Sequence, residues 1–196
     1  MTLGDSLDQI LEWHRRNGTP AGRLLQPGLG QEEILRQLQA VPFRLPDEFV
    51  ELYRWRNGTA AGEEGEDTSL FEIHRFLPLD EAIRNFQETY PEVKESYGPG
   101  DWLQAFQDVT SDGYGVRGGP QAGRHAPVVL VMEGEGVRTV FSSLTRMMQT
   151  VAAAFREGAM GWEDEEMETD FFAWGALAHR FDPQIEYWRD FLQGEG

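Results

Sequence analysis

Residues Pro27 to Gly58 read PGLGQEEILRQLQAVPFRLPDEFVELYRWRNG, two helical segments joined through a proline corner. Glu32 and Glu33 fall in the first turn of a helix predicted over about Gln31 to Ala40, where the helix dipole favours anions. Ile34, Leu35 and Leu38 give that helix an apolar stripe. Leu45-Pro46-Asp47-Glu48 opens the second helix, because proline is pre-organised for a first turn and acids follow it. Phe49, Leu52, Tyr53 and Arg56 recur at i, i+3, i+4 and i+7, which is one helical face. Asn57-Gly58 supplies a left-handed stop, since glycine takes positive φ without steric penalty.

Upstream, Leu3, Leu7, Ile10, Leu11 and His14 follow helical spacing, and Asn17-Gly18 with Pro20 ends the run. Residues 17–30 are rich in Gly and Pro and read as a long loop. Downstream, residues 59–69 form a small, acidic loop holding Glu63, Glu64, Glu66 and Asp67. Leu70 to Phe76 reads as a strand with Phe71 and Ile73 on one face, broken by Pro78. Leu79, Ala82, Ile83 and Phe86 start a helix expected to end before Pro91, and Tyr97-Gly98-Pro99-Gly100 is a turn cluster.

From Trp102 the hydrophobic period shortens. Trp102–Asp108, Tyr114–Arg117, Val128–Met132 and Val137–Phe141 read as short strands, the last two joined by a hairpin turn at Glu133-Gly134-Glu135-Gly136. Ser143 is placed to cap a helix bearing Leu144, Met147, Met148, Val151, Ala152 and Phe155. In the tail, Met167, Phe171, Trp174, Ala178 and Phe181 follow a 4,3,4,3 spacing, which predicts an amphipathic helix behind the acids Glu163, Asp164, Glu165 and Glu166. Asp182-Pro183 breaks it, and Ile185, Trp188, Phe191 and Leu192 form a last short helix. Consecutive short strands with tight turns exclude βαβ units. The expected class is α+β, with a central mixed or antiparallel sheet of four to six strands and helices packed around it.

The 196 residues are 40% hydrophobic and include six Trp, enough apolar surface to order one domain. The chain has no cysteine, so disulfides, thiolate nucleophiles and Cys-ligated metals are excluded. No apolar run approaches the roughly 20 residues of a membrane span, and Met1 to Asp5 lack a signal-peptide pattern, so a cytoplasmic location is expected. The formal net charge is −17, distributed as −1, −10 and −6 over residues 1–60, 61–116 and 117–196. Such a charge repels nucleic-acid phosphate and anionic lipid and favours basic partners.

Catalytic patterns are missing. His14, His74, His125 and His179 show no metal-binding spacing; His14 and His179 are expected at helix boundaries and His74 in solvent. Ser142-Ser143 lacks a nucleophile elbow. Asp108-Val109-Thr110-Ser111-Asp112-Gly113 begins like a calcium loop, but Gly119 stands where a bidentate Glu is required, so it reads as a turn. No cofactor is expected. The acidic clusters Glu63, Glu64, Glu66, Asp67 and Glu163, Asp164, Glu165, Glu166 are candidates for a partner-binding face, and Trp174, Tyr187 and Trp188 for aromatic anchors.

Over residues 27–158 the chain resembles the SUKH superfamily, the Smi–Knr group. The likeness is carried by Ile34-Leu35, Leu45-Pro46, Phe49, Tyr53-Arg54-Trp55 and Asn57-Gly58, then by Phe76-Leu77-Pro78-Leu79, Trp102-Leu103, the Gly-rich strand pair and Ser142-Ser143-Leu144. The matching residues Leu45, Pro46, Phe49, Tyr53, Trp55, Asn57 and Gly58 are packing and turn signals. The resemblance implies a non-enzymatic protein-binding module: a bacterial immunity protein neutralising a polymorphic toxin, many of which are nucleases, or a regulator of the cell-wall assembly type. Residues 1–26 then read as an added helix and loop, and residues 159–196 as an acidic, aromatic extension packed on the domain.

Overall fold

The structure, a computed structural model, describes the backbone of residues 1–97 and 101–194 and the side chains of residues 1–89 and 101–194. The elements run α1 (Leu3–Asn17), α2 (Pro20–Leu24), β1 (Leu25–Pro27), α3 (Gln31–Gln37), a 3-10 turn (Leu38–Ala40), α4 (Asp47–Trp55), β2 (Arg56–Thr59), β3 (Arg75–Phe76) and α5 (Leu79–Tyr97). They continue with β4 (Trp102–Gln107), β5 (Gly113–Arg117), β6 (Val128–Met132), β7 (Gly136–Phe141), α6 (Leu144–Glu157), β8 (Met160–Glu163), β9 (Glu166–Thr169), α7 (Phe171–Phe181) and α8 (Glu186–Gln193). Strands β3 to β7 make one five-stranded antiparallel sheet in sequence order, and β1–β2 and β8–β9 are two-stranded antiparallel sheets. The class is α+β, as the meander of short strands predicts. Met132 pairs with Gly136, so the β6–β7 turn falls on Glu133-Gly134-Glu135.

Helix α6 is the centre of the body. Ser143 caps it, its hydroxyl accepting from Arg146 N at 3.1 Å. Ten of its residues from Leu144 to Phe155 are buried, on every face. A helix apolar all round needs cover all round. It packs against α1, α4 and α7.

The first turn of α6 is held by a residue from another helix. Glu48, 2% exposed, projects from the first turn of α4. Its Oε1 accepts from Leu144 N at 2.9 Å and Ala126 N at 3.3 Å. Its Oε2 accepts from Thr145 N at 3.2 Å, Thr145 Oγ1 at 3.1 Å and His125 Nδ1 at 2.9 Å. Pro46 is the N-cap of α4 and offers no capping side chain, so the first N–H groups of that helix turn to the 123–124 backbone: Asp47 N reaches Gly123 O at 2.9 Å and Glu48 N reaches Arg124 O at 3.3 Å.

Several sequence expectations change. Residues 17–30 are not a long loop: Thr19 caps α2 with Pro20 at its start, and β1 pairs with β2. Asn57-Gly58 does not stop α4, which ends at Trp55; the pair lies in β2. Gly58 has φ +73°, and a Cβ there would stand 2.2 Å from Pro78 N, while Asn57 Oδ1 accepts from Leu79 N at 3.0 Å and so caps α5. The dipeptide thus joins two segments instead of closing one. Leu70 to Phe76 is mostly a tight turn, because Leu70 N bonds His74 O at 2.8 Å and His74 N bonds Phe71 O at 2.9 Å; only Arg75 and Phe76 pair in the sheet. That reversal buries His74 (7% exposed) and leaves Ile73 outside (55% exposed), the opposite of an alternating strand. Helix α5 runs through Pro91, whose one missing N–H penalises a helix without forbidding it. Gly98, Pro99 and Gly100 of the expected turn cluster lie outside the described residues.

The tail departs most. Met167 belongs to β9, not to a helix, and α7 starts at Phe171, capped by Asp170. Trp174 and Trp188 are core residues, 1% and 3% exposed; the exposed aromatics are Phe171 and Phe172.

His14 is a core residue too, 0% exposed. Its Nε2 lies 2.8 Å from Leu70 O, which can only accept, so Nε2 carries the proton; Nδ1, 2.6 Å from Thr19 Oγ1, then accepts the hydroxyl proton. Burial pushes the imidazole down from 6.5 to about 4, against the Leu70 carbonyl and Asp67, which favour the charged form.

Two predictions follow from these buried groups. Glu48→Ala leaves the Leu144 and Thr145 N–H groups without an acceptor and should lower the free energy of urea unfolding by about 3 kcal/mol, with Glu48→Gln costing less than half of that; a loss under about 1 kcal/mol would refute this role. For His14 the folded pKa lies below the unfolded one, so its contribution is complete above pH 6.5 and is lost as pH falls toward 4. Unfolding measured from pH 7 down to about 4 should show wild type losing roughly 3 kcal/mol more than His14→Gln, and parallel curves would count against it.

Candidate partner-binding cleft

The two acidic clusters, a hundred residues apart in sequence, meet in space. Glu63, Glu64, Glu66, Asp67 and Glu165 line one cleft of about 440 Å³, together with Gly18, Pro20, Arg23 and Trp162. Five carboxylates face one guanidinium there. The contact that joins the two segments runs from backbone to side chain: Met167 N donates to Asp67 Oδ2 at 2.8 Å, while Asp67 Oδ1 accepts from Ser69 N at 2.8 Å. Glu66 pairs with Arg23 of α2 and accepts from Glu63 N at 3.0 Å. Asp67 and Glu66 are therefore partly spent on holding the cleft together. Glu63, Glu64 and Glu165 are exposed.

Glu163, Asp164 and Glu166 sit on the same β8–β9 hairpin, outside the cleft wall and also exposed. Glu163 pairs with Glu166, so the turn is Asp164-Glu165, with φ +50° and +67°. Two successive left-handed residues make the type I′ turn that suits the twist of a hairpin. Neither is glycine, and the left-handed region costs a side-chain-bearing residue on the order of 1 kcal/mol. Trp162 pairs across the hairpin with the buried Met167 and lines the cleft.

The remaining sequence candidates build the frame. Leu45, Phe49 and Tyr53 are buried, and Tyr53 donates its hydroxyl proton to Leu77 O at 3.0 Å. Burial raises the Tyr53 pKa well above its ordinary value. Trp55 Nε1 donates to Asp8 Oδ1 at 3.0 Å, tying α4 to α1. The 108–113 segment is a turn: Asp108 Oδ1 accepts from Thr110 N at 2.7 Å and Asp112 N at 3.0 Å. Among the described residues no group of three or more His, Asp or Glu is arranged to hold a metal ion.

Sequence reading missed Gly18, Pro20, Arg23 and Trp162 as cleft residues. For Trp162 a signal existed: in Met160-Gly161-Trp162-Glu163 the large apolar side chains fall at every second position, as they do in strands. The N-terminal residues carry none, because their part in the cleft follows from how α2 packs.

A comparison with curated proteins finds no match. The family model described as SMI1 / KNR4 family (SUKH-1) matches residues 28–150. The matched span covers α3 through the first half of α6 and includes the Glu63–Asp67 side of the cleft. Gly18, Pro20, Arg23, Trp162 and Glu165 lie outside it. With well over half of its length matched, the chain belongs to the SMI1 / KNR4 family (SUKH-1).

Proposed function

We propose that this protein is a non-catalytic binding module, an immunity protein that docks a basic toxin domain against its acidic cleft. The observation that carries the reading is the meeting of Glu63, Glu64, Glu66, Asp67 and Glu165 around one hollow of about 440 Å³. Like charges gathered this way repel one another, and a cationic partner relieves the repulsion. A toxin domain that grips nucleic-acid phosphate carries a basic surface of matching sign. Membership in the SMI1 / KNR4 family supports a binding role over an enzymatic one. We take residues 27–158 as the family body, and residues 1–26 and 159–196 as additions that furnish two of the cleft walls. The protein would act in the cytoplasm, without cofactor, nucleic acid or membrane.

Clustered charge acts chiefly on the rate of encounter, which reaches about 10⁸–10⁹ M⁻¹s⁻¹ at low salt for well-steered pairs. The test is binding to the toxin-domain protein encoded beside its gene, followed in low and high salt. The triple variant Glu63→Gln, Glu64→Gln, Glu165→Gln should melt as the wild type does, because these side chains are exposed. It should associate about tenfold more slowly at low salt. At 1 M salt, where the screening length falls to about 3 Å, wild type and variant should converge. Identical association rates at low salt would rule the cleft out as the docking face.

A further inference from the structure

A second hollow shares no lining residue with the acidic cleft. It measures about 260 Å³ and is lined by Glu72, His74, Tyr114 and Trp174 within, with Ile73, Phe171, Met132 and the aromatic residues of α8 around them. The volume falls below the roughly 300–1,000 Å³ of pockets for drug-sized ligands and suits a single side chain. Asp67 of the cleft is five residues from Glu72, at most about 18 Å of extended chain.

The buried carboxylates of this protein are not equally satisfied. Glu48 accepts five hydrogen bonds. Asp182, 0% exposed, accepts three, from Ser142 N and Oγ and from Gln184. Glu72, 3% exposed, accepts among the described residues only the Tyr114 hydroxyl, at 2.9 Å. His74 Nδ1 stands 3.2 Å from Glu72 Oε2, within ion-pair distance when the ring is protonated but off hydrogen-bond geometry. The indole N–H of Trp174 approaches the Tyr114 hydroxyl without forming a well-shaped bond. Glu72 also holds φ +49°, a strained backbone for a glutamate. A carboxylate so withdrawn from water, with one firm donor and only the His74 ring 3.2 Å away as a cationic neighbour, is short of partners.

Among the described residues the lining supplies acids, His74, apolar side chains and aromatic rings, and no Lys or Arg. Asp108 and Asp112 add two half-buried carboxylates. Arg138 lies close enough to act on the Tyr187 hydroxyl, where Glu72 and Glu135 oppose it. At the mouth, Ile73 and Phe171 are 55% and 54% exposed, large apolar side chains that a covering protein surface would bury.

We propose that this pocket receives one arginine side chain of the protein partner, the guanidinium on Glu72 and the methylene stem against Ile73 and Phe171. This rests on the reading of the protein as a binding module. Arginine fits better than lysine, because its planar head is weakly hydrated, stacks on aromatic rings and pairs with carboxylate through two parallel donors.

The probe is N-acetyl-arginine methylamide, set against its citrulline counterpart, which keeps the shape and removes the charge. Proton–nitrogen NMR resolves the six indole N–H signals, and Trp174→Phe and Trp188→Phe assign the two at the pocket. The arginine compound should move those two signals and saturate in the millimolar range, with citrulline at least tenfold weaker. Glu72→Gln should lose the arginine response by tenfold or more. If that variant fails to fold, Phe171→Ala, altered only at the exposed rim, should weaken it several-fold. Equal response to both compounds, or none to arginine, overturns the proposal. In the complex with the toxin protein the same signals should move. Their stillness, with salt-sensitive binding at the cleft intact, overturns the pocket and spares the cleft. If no complex forms, the immunity reading fails, while the arginine–citrulline contrast still decides whether the pocket is a guanidinium site.

Discussion

The carboxylate of Glu48 sits where two helix beginnings meet, and the body is organised around that point. A helix starts with N–H groups that nothing inside it can satisfy. In α6 the first of these turn to a side chain from α4, and in α4 they turn to the backbone of residues 123 and 124. The same region is stitched again where Arg44 and Gly119 exchange backbone bonds at 2.8 and 3.0 Å. One buried anion therefore fixes α4, α6 and the segment ahead of β6 relative to each other. The carboxylate is tolerable there because five donors converge on its two oxygens.

Much of this was legible in the sequence, for a physical reason. Strands β4 to β7 are short and bounded by glycine-rich turns, so their alternation is local and survives without tertiary knowledge. The caps of α6 and α7 are likewise local events, though only the first was assigned. What could not be read were groups whose role depends on distant partners. Glu48 resembles any first-turn acid, and only the fold reveals it reaching residues nearly a hundred positions away. Asn57-Gly58 carries a helix-stop signature, yet its partners are Pro78 and Leu79. Met167 stands four residues before Phe171 and seven before Trp174, so it joins their helical period by coincidence, and Asp164-Glu165 lacks the glycine or asparagine that usually announces a hairpin.

The candidate site was half visible. Both acidic clusters stand out in composition, but their meeting depends on the docking of one hairpin through Met167 and Asp67. The burial of His74 runs against the sequence expectation because a tight reversal at residues 70–74 replaces the expected strand. Across the three carboxylates buried among the described residues, Glu48, Glu72 and Asp182, the contrast is instructive. Two are saturated by donors and serve architecture, and the third is short of donors and opens on a hollow. Saturation separates structural anions from those left ready for an outside charge.

The β8–β9 hairpin packs on the body through the buried Met160 and Met167 and a bond from Met167 N to the Asp67 side chain, while its tip places four acids in water. Altering those tip residues changes what an approaching molecule meets and removes nothing from the interior. Under the docking proposed above, folding and recognition are written in separate segments of one polypeptide, and the second text can be rewritten while the first stays as it is.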